Sequence, residues 1–179
     1  MKIRKTIAAA ALLLVAVVPL AACGTTGETA TTSATTQVQQ AGPGGQSGPG
    51  GVDVSSVSSV EDLNALVQSA YGEAGLGLHR GHEPVQDVLD EVLSISHDEL
   101  HVRMDSGQNL AAIATDLGID PQTLVDAMVE SWSPAIDDLV SAGTITQAQG
   151  EQYRAALTEA FTFKVNWDGQ EATPTFTGA

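Results

Sequence analysis

The sequence predicts a mainly α-helical protein, a small bundle of about six helices after a disordered tether, with a short C-terminal β-hairpin as an additional expectation. Apolar residues recur with the 3.6-residue period of amphipathic helices between residues 59 and 160. Residues that favour helix N-caps and glycines that favour helix ends bound these segments. Residues 24–51 have almost no apolar side chains. These three observations predict the fold class.

Residues 1–22 have the organisation of an export signal. The positively charged MKIRK segment precedes an apolar run from Ile7 to Val18, which is too short to span a membrane. Leu20-Ala21-Ala22-Cys23 resembles the lipobox of bacterial lipoproteins. The resemblance implies that Cys23 becomes the mature N-terminus and carries a diacylglyceryl group with acyl chains such as palmitate. The alternative is an ordinary signal peptide cleaved near Ala22.

Residues 23–52 are expected to form the lipid attachment point and a flexible tether. The segment is rich in Thr, Gly and Pro, so it cannot bury enough apolar surface to offset its ordering entropy. A flexible chain of this length has an end-to-end distance of roughly 30 Å. We therefore expect a protein anchored to the cell membrane through Cys23, with its folded part on the extracytoplasmic side.

The charge of the chain excludes several classes of partner. After Cys23 the chain has four basic residues against 22 acidic ones, a formal charge of −18. Nucleic acid and anionic lipid headgroups would be repelled, so membrane attachment must come from the lipid. Cys23 is the only cysteine. A disulfide within the chain is therefore impossible, and lipidation would also exclude thiol catalysis and thiolate metal ligands.

Three helices are predicted in the first half of the folded part, residues 53–168. Ser59 is the N-cap of a helix that runs to about Tyr71, and the glycine-rich segment 71–82 is expected to be a loop. Pro84 suits the first position of the second helix. Its apolar stripe is Val85, Val88, Leu89, Val92 and Leu93. Ser96 and Glu99 predict a capping box that begins a short third helix.

Three further helices follow. Asn109 caps a short helix that Gly118 ends, and Asp120 with the following proline begins the longest helix. Pro134 within this helix predicts a kink or a break. Thr146 begins the last helix with a capping box.

The last helix is predicted to end near Phe161, where the apolar period changes from helical to alternating. A strand pattern follows, with a turn at Asp168-Gly169 and a return strand over Thr173 to Thr177. The alternating apolar residues are Phe161, Phe163, Val165 and Trp167. Residues 169–179 are predicted to be a C-terminal tail.

The stretch from Leu93 to Ala160 resembles a small helical domain of unknown function found in exported bacterial proteins. The resemblance is carried by apolar, cap and turn positions, so it implies a fold and no chemistry. These positions are Leu93, Ile95, Ser96, Leu100, Gly107, Leu110 to Ala114, Gly118, Ile119, Leu124, Ala127 and Gly143 to Thr146.

The segment Leu110–Asp120 also resembles two other elements, one that binds DNA and one that binds the cell wall. One is a helix-turn-helix, which export and the acidic charge argue against. The other is the helical part of a peptidoglycan-binding LysM module. That module flanks its helices with strands, whereas both neighbours here are predicted to be helical.

The four histidines fall within 23 residues, with the spacing His-x2-His, fourteen residues, His-x3-His. Clustered histidines are a compositional indication of metal binding. His97 and His101 lie at i and i+4 and share a helix face, while His79 and His82 lie on the predicted loop. The four imidazoles could surround one Zn²⁺, Ni²⁺ or Cu²⁺ ion. Glu83, Asp87 and Asp98 are candidates for additional ligands or for hydrogen-bond partners of the histidine ligands.

No catalytic motif is apparent, and the sequence predicts a protein that is not an enzyme. His97-Asp98-Glu99-Leu100-His101 departs from the HExxH motif of zinc proteases, because Asp98 occupies the position of the general base. This departure argues against the alternative of a divergent zinc hydrolase. The leading hypothesis is a non-enzymatic module that binds an envelope protein or a cell-wall component, with no cofactor. The alternative is a metal-binding lipoprotein that uses a divalent transition metal such as zinc.

Overall fold

The computed structural model describes residues 53–179, which form six α-helices and contain no β-strand. The mainly α-helical class is therefore confirmed. The export signal, Cys23 and the tether lie outside the described residues. The helices are α1 (Val60–Ala70), α2 (Gln86–Leu93), α3 (His97–Asp105), α4 (Leu110–Asp116), α5 (Pro121–Ser141) and α6 (Gln147–Asn166), and short 3-10 turns occur at Val54–Ser56, Gly77–His79 and Glu83–Val85.

The predicted N-caps begin the helices. Ser59 and Thr146 form complete capping boxes, in which the cap side chain and the third helical residue satisfy each other's backbone N–H groups. Ser96, Asn109 and Asp120 each accept a hydrogen bond from a backbone N–H of the first turn. These side chains satisfy donors that would otherwise lack partners at each helix start.

The core lies mainly between α5 and α6, the two longest helices. Trp132 of α5 packs edge-on against Phe161 of α6, with ring centroids 5.0 Å apart and planes at 74°. Gly150 brings the helices close together, since a Cβ atom there would lie 2.9 Å from Cγ2 of Val140. Helices α1 and α4 pack on α6, and α2 and α4 pack on α5. Within residues 53–179, none of the helices combines the length and apolarity needed to cross a membrane.

The break considered near Pro134 does not occur, because α5 is continuous from residue 121 to residue 141. Trp132, Ala135 and Ile136 are buried on both sides of the proline. Burial of this continuous apolar stripe outweighs the one backbone hydrogen bond that proline removes.

The second helix begins two residues later than the position predicted for it. Pro84 lies in the 3-10 turn Glu83–Val85, and α2 begins at Gln86. The segment after α1 is a loop, as predicted, and contains the single 3-10 turn Gly77–His79.

The predicted C-terminal hairpin is wrong. Helix α6 continues through the alternating segment to Asn166, and residues 167–179 form neither helix nor strand. Leu157, Phe161 and Val165 are fully buried at i, i+4 and i+8, so the helical period accounts for the apolar positions that the alternation also fits. Lys164, which alternates with the apolar residues in the strand pattern, is buried on the same helix face as Phe161 and Val165.

The C-terminal tail lies against α1. The Gln68 side chain donates a hydrogen bond from Nε2 to the carbonyl of Pro174 (3.1 Å) and accepts one at Oε1 from the backbone N–H of Phe176 (2.8 Å). The Phe176 ring lies 6.1 Å from the Tyr153 ring and packs against the core. The tail is therefore fixed by both backbone and side-chain contacts.

Replacing Trp132 with alanine should remove the largest side chain of the α5–α6 interface. We expect the free energy of unfolding to fall by about 3–5 kcal/mol, because both buried apolar surface and packing around the resulting cavity are lost. Urea unfolding followed by circular dichroism measures this change. Val102→Ala is the control, since Val102 is 63% exposed and its truncation should change stability by less than about 0.5 kcal/mol. Equal losses in the two variants would contradict this account of the core.

Candidate metal centre

The fold brings all four histidines together. His79 and His82 come from the loop between α1 and α2, and His97 and His101 come from one face of α3. The His101 ring centroid lies 4.4 Å from that of His97, 4.7 Å from that of His79 and 4.8 Å from that of His82. The His82 centroid lies 5.1 Å from that of His97 and 5.9 Å from that of His79. The clustering in sequence therefore corresponds to a cluster in space.

The histidine loop is held close to the end of α1 by a glycine. Gly72 has a φ of +83°, and a Cβ atom at this position would lie 2.5 Å from the carbonyl oxygen of Arg80. A side chain here would therefore push away the residue that lies between His79 and His82 in the chain. Arg80 is itself left-handed, with a φ of +33°.

Two buried cations attach this loop to α6 and the residues after it. Lys164 donates a hydrogen bond from Nζ to the carbonyl of Gly81 (3.1 Å). The Arg80 guanidinium carbon lies 3.6 Å from the centroid of the Trp167 ring, and the same side chain donates to Oγ1 of Thr173 (2.8 Å). Both cations are buried, and their described partners are carbonyls, a hydroxyl and aromatic rings rather than carboxylates.

Burial and neighbouring charges lower the pKa values of Lys164 and His82. Burial, together with the neighbouring Arg80 charge, lowers the pKa of Lys164 to about 8. Burial lowers the pKa of His82 to about 4, with smaller contributions from the other three imidazoles and Lys164. His82 is therefore neutral at physiological pH, which is the form of imidazole that binds a metal.

The other two histidines lie on one face of α3 because of their i, i+4 spacing. Leu100 and Met104 are buried at i and i+4 and attach α3 to the core. His97, His101 and Asp105 occupy the adjacent stripe at i, i+4 and i+8, so all three side chains lie along one line of the helix.

Asp105 orients His79. The Nε2 atom of His79 lies 3.0 Å from Oδ1 of Asp105. Because a carboxylate accepts hydrogen bonds, this contact places the His79 proton on Nε2 and leaves the lone pair on Nδ1. This arrangement matches the carboxylate–histidine pairs that orient metal ligands in proteins.

Two imidazole nitrogens in the cluster have no hydrogen-bond partner among the described residues. Nδ1 of His79 and Nε2 of His82 are both buried and unpaired. Buried polar atoms in folded proteins nearly always have a partner, so two unpaired atoms in one cluster indicate a site for a ligand.

His79, His82 and His101 form the group best placed to hold one ion. One nitrogen from each lies within 4.8 Å of the other two. A tetrahedral ion holds nitrogen ligands at about 2.0–2.1 Å, which places these nitrogens about 3.3 Å apart, so they would have to approach each other by at most about 1.5 Å. His97 is exposed and lies outside this group, beside His101 with the two Nε2 atoms 2.9 Å apart. The structure therefore favours a site with three imidazole ligands over one with four, and His97 lies beside it.

The acidic residues considered as additional ligands do not join this group. Glu83 lines a cavity beside His79 and His82, Asp87 lies in a groove between α2 and α5, and Asp98 is exposed at the start of α3. Sequence reasoning missed Asp105 instead. Its position four residues after His101 repeats the spacing between His97 and His101, and this was the signal that could have identified it.

The pKa of His82 leads to a prediction about stability. Between pH 6.5 and pH 4 the unfolded chain protonates His82 and the folded chain does not, so the free energy of unfolding falls as the pH falls. A pKa lowered from 6.5 to about 4 corresponds to a loss of about 3 kcal/mol at pH 4. The effect should be absent well above pH 6.5, and it should be absent in His82→Gln, which has no titrating side chain at position 82.

The measurement is urea unfolding of the wild-type and His82→Gln proteins in EDTA between pH 4 and pH 8. His79, His97, His101 and Lys164 also face His82, and all of them remain in the variant. The free energy of unfolding of the wild type should therefore fall relative to that of His82→Gln as the pH falls from 6.5 to 4. A difference that stays constant over this range would contradict the buried, neutral state of His82.

Comparisons of the chain with protein-family models, with curated proteins and with solved structures found no match. The resemblance to a helical domain of exported bacterial proteins therefore stays a prediction, and the function has to be argued from the cluster itself.

Proposed function

We propose that this protein is a lipid-anchored metal-binding protein of the bacterial cell envelope. In this proposal Cys23 attaches the chain to the extracytoplasmic side of the membrane, and His79, His82 and His101 bind one divalent transition metal ion. The observation that carries the proposal is the pair of buried, unpaired nitrogens, Nδ1 of His79 and Nε2 of His82, beside His101.

A cation satisfies this cluster better than any protein group within reach. Both unpaired nitrogens are aromatic ring atoms that either hold a proton or offer a lone pair. At His82, burial and the neighbouring positive charges oppose protonation and lower its pKa to about 4. A single metal ion would accept the lone pairs of both nitrogens at once.

The ligand set favours late first-row ions. Three neutral imidazoles with an oriented histidine suit Zn²⁺, Ni²⁺ and Cu²⁺, whereas Mg²⁺ and Ca²⁺ prefer oxygen ligands. The only cysteine is Cys23, which the proposed lipid would occupy. The acidic surface, with a formal charge of −18 after Cys23, would also raise the local concentration of cations.

Binding of an envelope protein or a cell-wall component remains compatible with this proposal. A tethered domain that holds an ion outside the membrane could pass it to such a partner or store it. Neither the metal nor the ligand geometry requires the protein to be an enzyme, and nucleic acid stays excluded by charge.

Metal titration tests the site. The purified protein without an affinity tag should bind one Zn²⁺, Ni²⁺ or Cu²⁺ ion in native mass spectrometry and calorimetry. His79→Ala and His82→Ala should each weaken binding by at least about 100-fold, since each removes a ligand. Asp105→Asn should weaken it by about 10–100-fold, because a neutral amide orients His79 less well.

Asp98→Asn is the matched control for Asp105→Asn. It removes the same charge from the same helix, but Asp98 lies at the exposed start of α3 rather than beside His79. Its affinity for the ion should stay close to that of the wild type. Wild-type binding that is weak and spread over several ions, or that survives replacement of all the histidines with alanine, would refute the metal site.

The anchor is tested separately. Expression of the full chain in a bacterium should give a protein that sediments with membranes and whose mass includes a diacylglyceryl group. Cys23→Ala should abolish the lipid, because the acceptor thiol is lost. Cell fractionation and intact-protein mass spectrometry measure both effects. A wild-type protein without lipid would show that Cys23 is incidental, whatever the result of the metal titration.

A further inference from the structure

A cavity of about 300 Å³ lies beside the proposed metal ligands. It is bounded on one side by the end of α1 and on the other by the histidine loop. Its walls include the rings of His79 and His82, the carboxylates Glu73 and Glu83, and the side chain of Leu76. The two rings with unpaired nitrogens therefore form part of its surface.

The coordination number of the ion leaves one position that the three histidines do not fill. A tetrahedral ion has four positions, and the group formed by His79, His82 and His101 fills three of them. His97 lies outside this group, and its Nε2 atom is paired with His101. An ion with three protein ligands and one open position binds water or a small molecule there.

We infer that this cavity is the site at which a small neutral Lewis base, such as an imidazole or an amine, binds to the fourth position of the metal ion. The inference rests on the proposed function, since it requires an ion held by His79, His82 and His101. Water would take this position when no other base is present.

The walls of the cavity determine the class of ligand. Glu73 and Glu83 place two carboxylates on its surface, and the end of α1 contributes the negative end of its dipole. These negative groups offset part of the positive charge of the ion, so we expect anions such as azide or acetate to bind more weakly than a neutral base. The volume is at the lower end of the range for small-molecule sites, and Leu76 and Pro84 provide apolar contacts for a small ring.

The test uses the full-length protein loaded with Co²⁺, whose visible absorption reports the ligands of the ion. Titration with imidazole should give a saturable change in the spectrum, and azide should bind at least about 10-fold more weakly. Leu76→Trp should weaken imidazole binding by at least about 10-fold, because the larger ring fills the cavity, and it should leave Co²⁺ affinity unchanged.

Val102→Trp is the matched control. Leu76 and Val102 are the two large exposed apolar side chains among residues 53–179, and Val102 is not part of the cavity. Val102→Trp should therefore bind imidazole as the wild type does. Equal weakening in the two variants, or tighter binding of azide than of imidazole, would overturn the inference.

The outcomes also separate this inference from the metal site. If Co²⁺ binds with the expected dependence on His79 and His82 but the spectrum does not respond to imidazole, the cavity inference fails and the proposed function stands. A response that appears only in His97→Ala would show that His97 fills the fourth position, which also overturns the inference. Failure of Co²⁺, Zn²⁺, Ni²⁺ and Cu²⁺ to bind would remove both proposals.

Discussion

The histidine cluster depends on the attachment of its loop to α6 through two buried cations. Lys164 bonds to the carbonyl of Gly81, and Arg80 stacks on Trp167 at 3.6 Å. These contacts hold the two residues that lie between His79 and His82, so they fix the position of two of the three proposed ligands. Helix α6 thus determines the geometry of a site to which it contributes no ligand.

The choice of partners for these cations has an electrostatic consequence. A carboxylate beside Lys164 or Arg80 would neutralise the charge and make burial less costly. It would also favour protonated imidazoles and compete with them for a metal. Carbonyl and aromatic partners leave the positive charges in place, and the charge of Lys164 makes a small contribution to the low pKa of His82, after burial and the other imidazoles. The domain therefore buries Lys164 and Arg80 without carboxylate partners, in a region where the imidazoles must stay neutral to bind a metal.

Sequence reasoning predicted most of the helices because their ends are encoded locally, as the capping boxes at Ser59 and Thr146 illustrate. It predicted the histidine cluster because composition and an i, i+4 spacing are visible in one dimension. It missed the end of α6 because Phe161 and Val165 fit both a helical and an alternating period. It could not foresee the burial of Lys164 or the unpaired atoms of His79 and His82, since these arise from contacts between distant segments.

The site lies beside a helix that buries few apolar side chains. Leu100 and Met104 are the only buried residues on α3, whereas α5 buries seven side chains. The adjacent stripe of α3, with His101 and Asp105, faces the loop instead of a hydrophobic partner. An ion shared by His79, His82 and His101 would therefore join α3 to the loop in place of apolar packing. Because such an ion binds only the folded arrangement, its binding energy would stabilise α3 and the loop in particular. Ion binding and the local folding of α3 would then be coupled in one equilibrium.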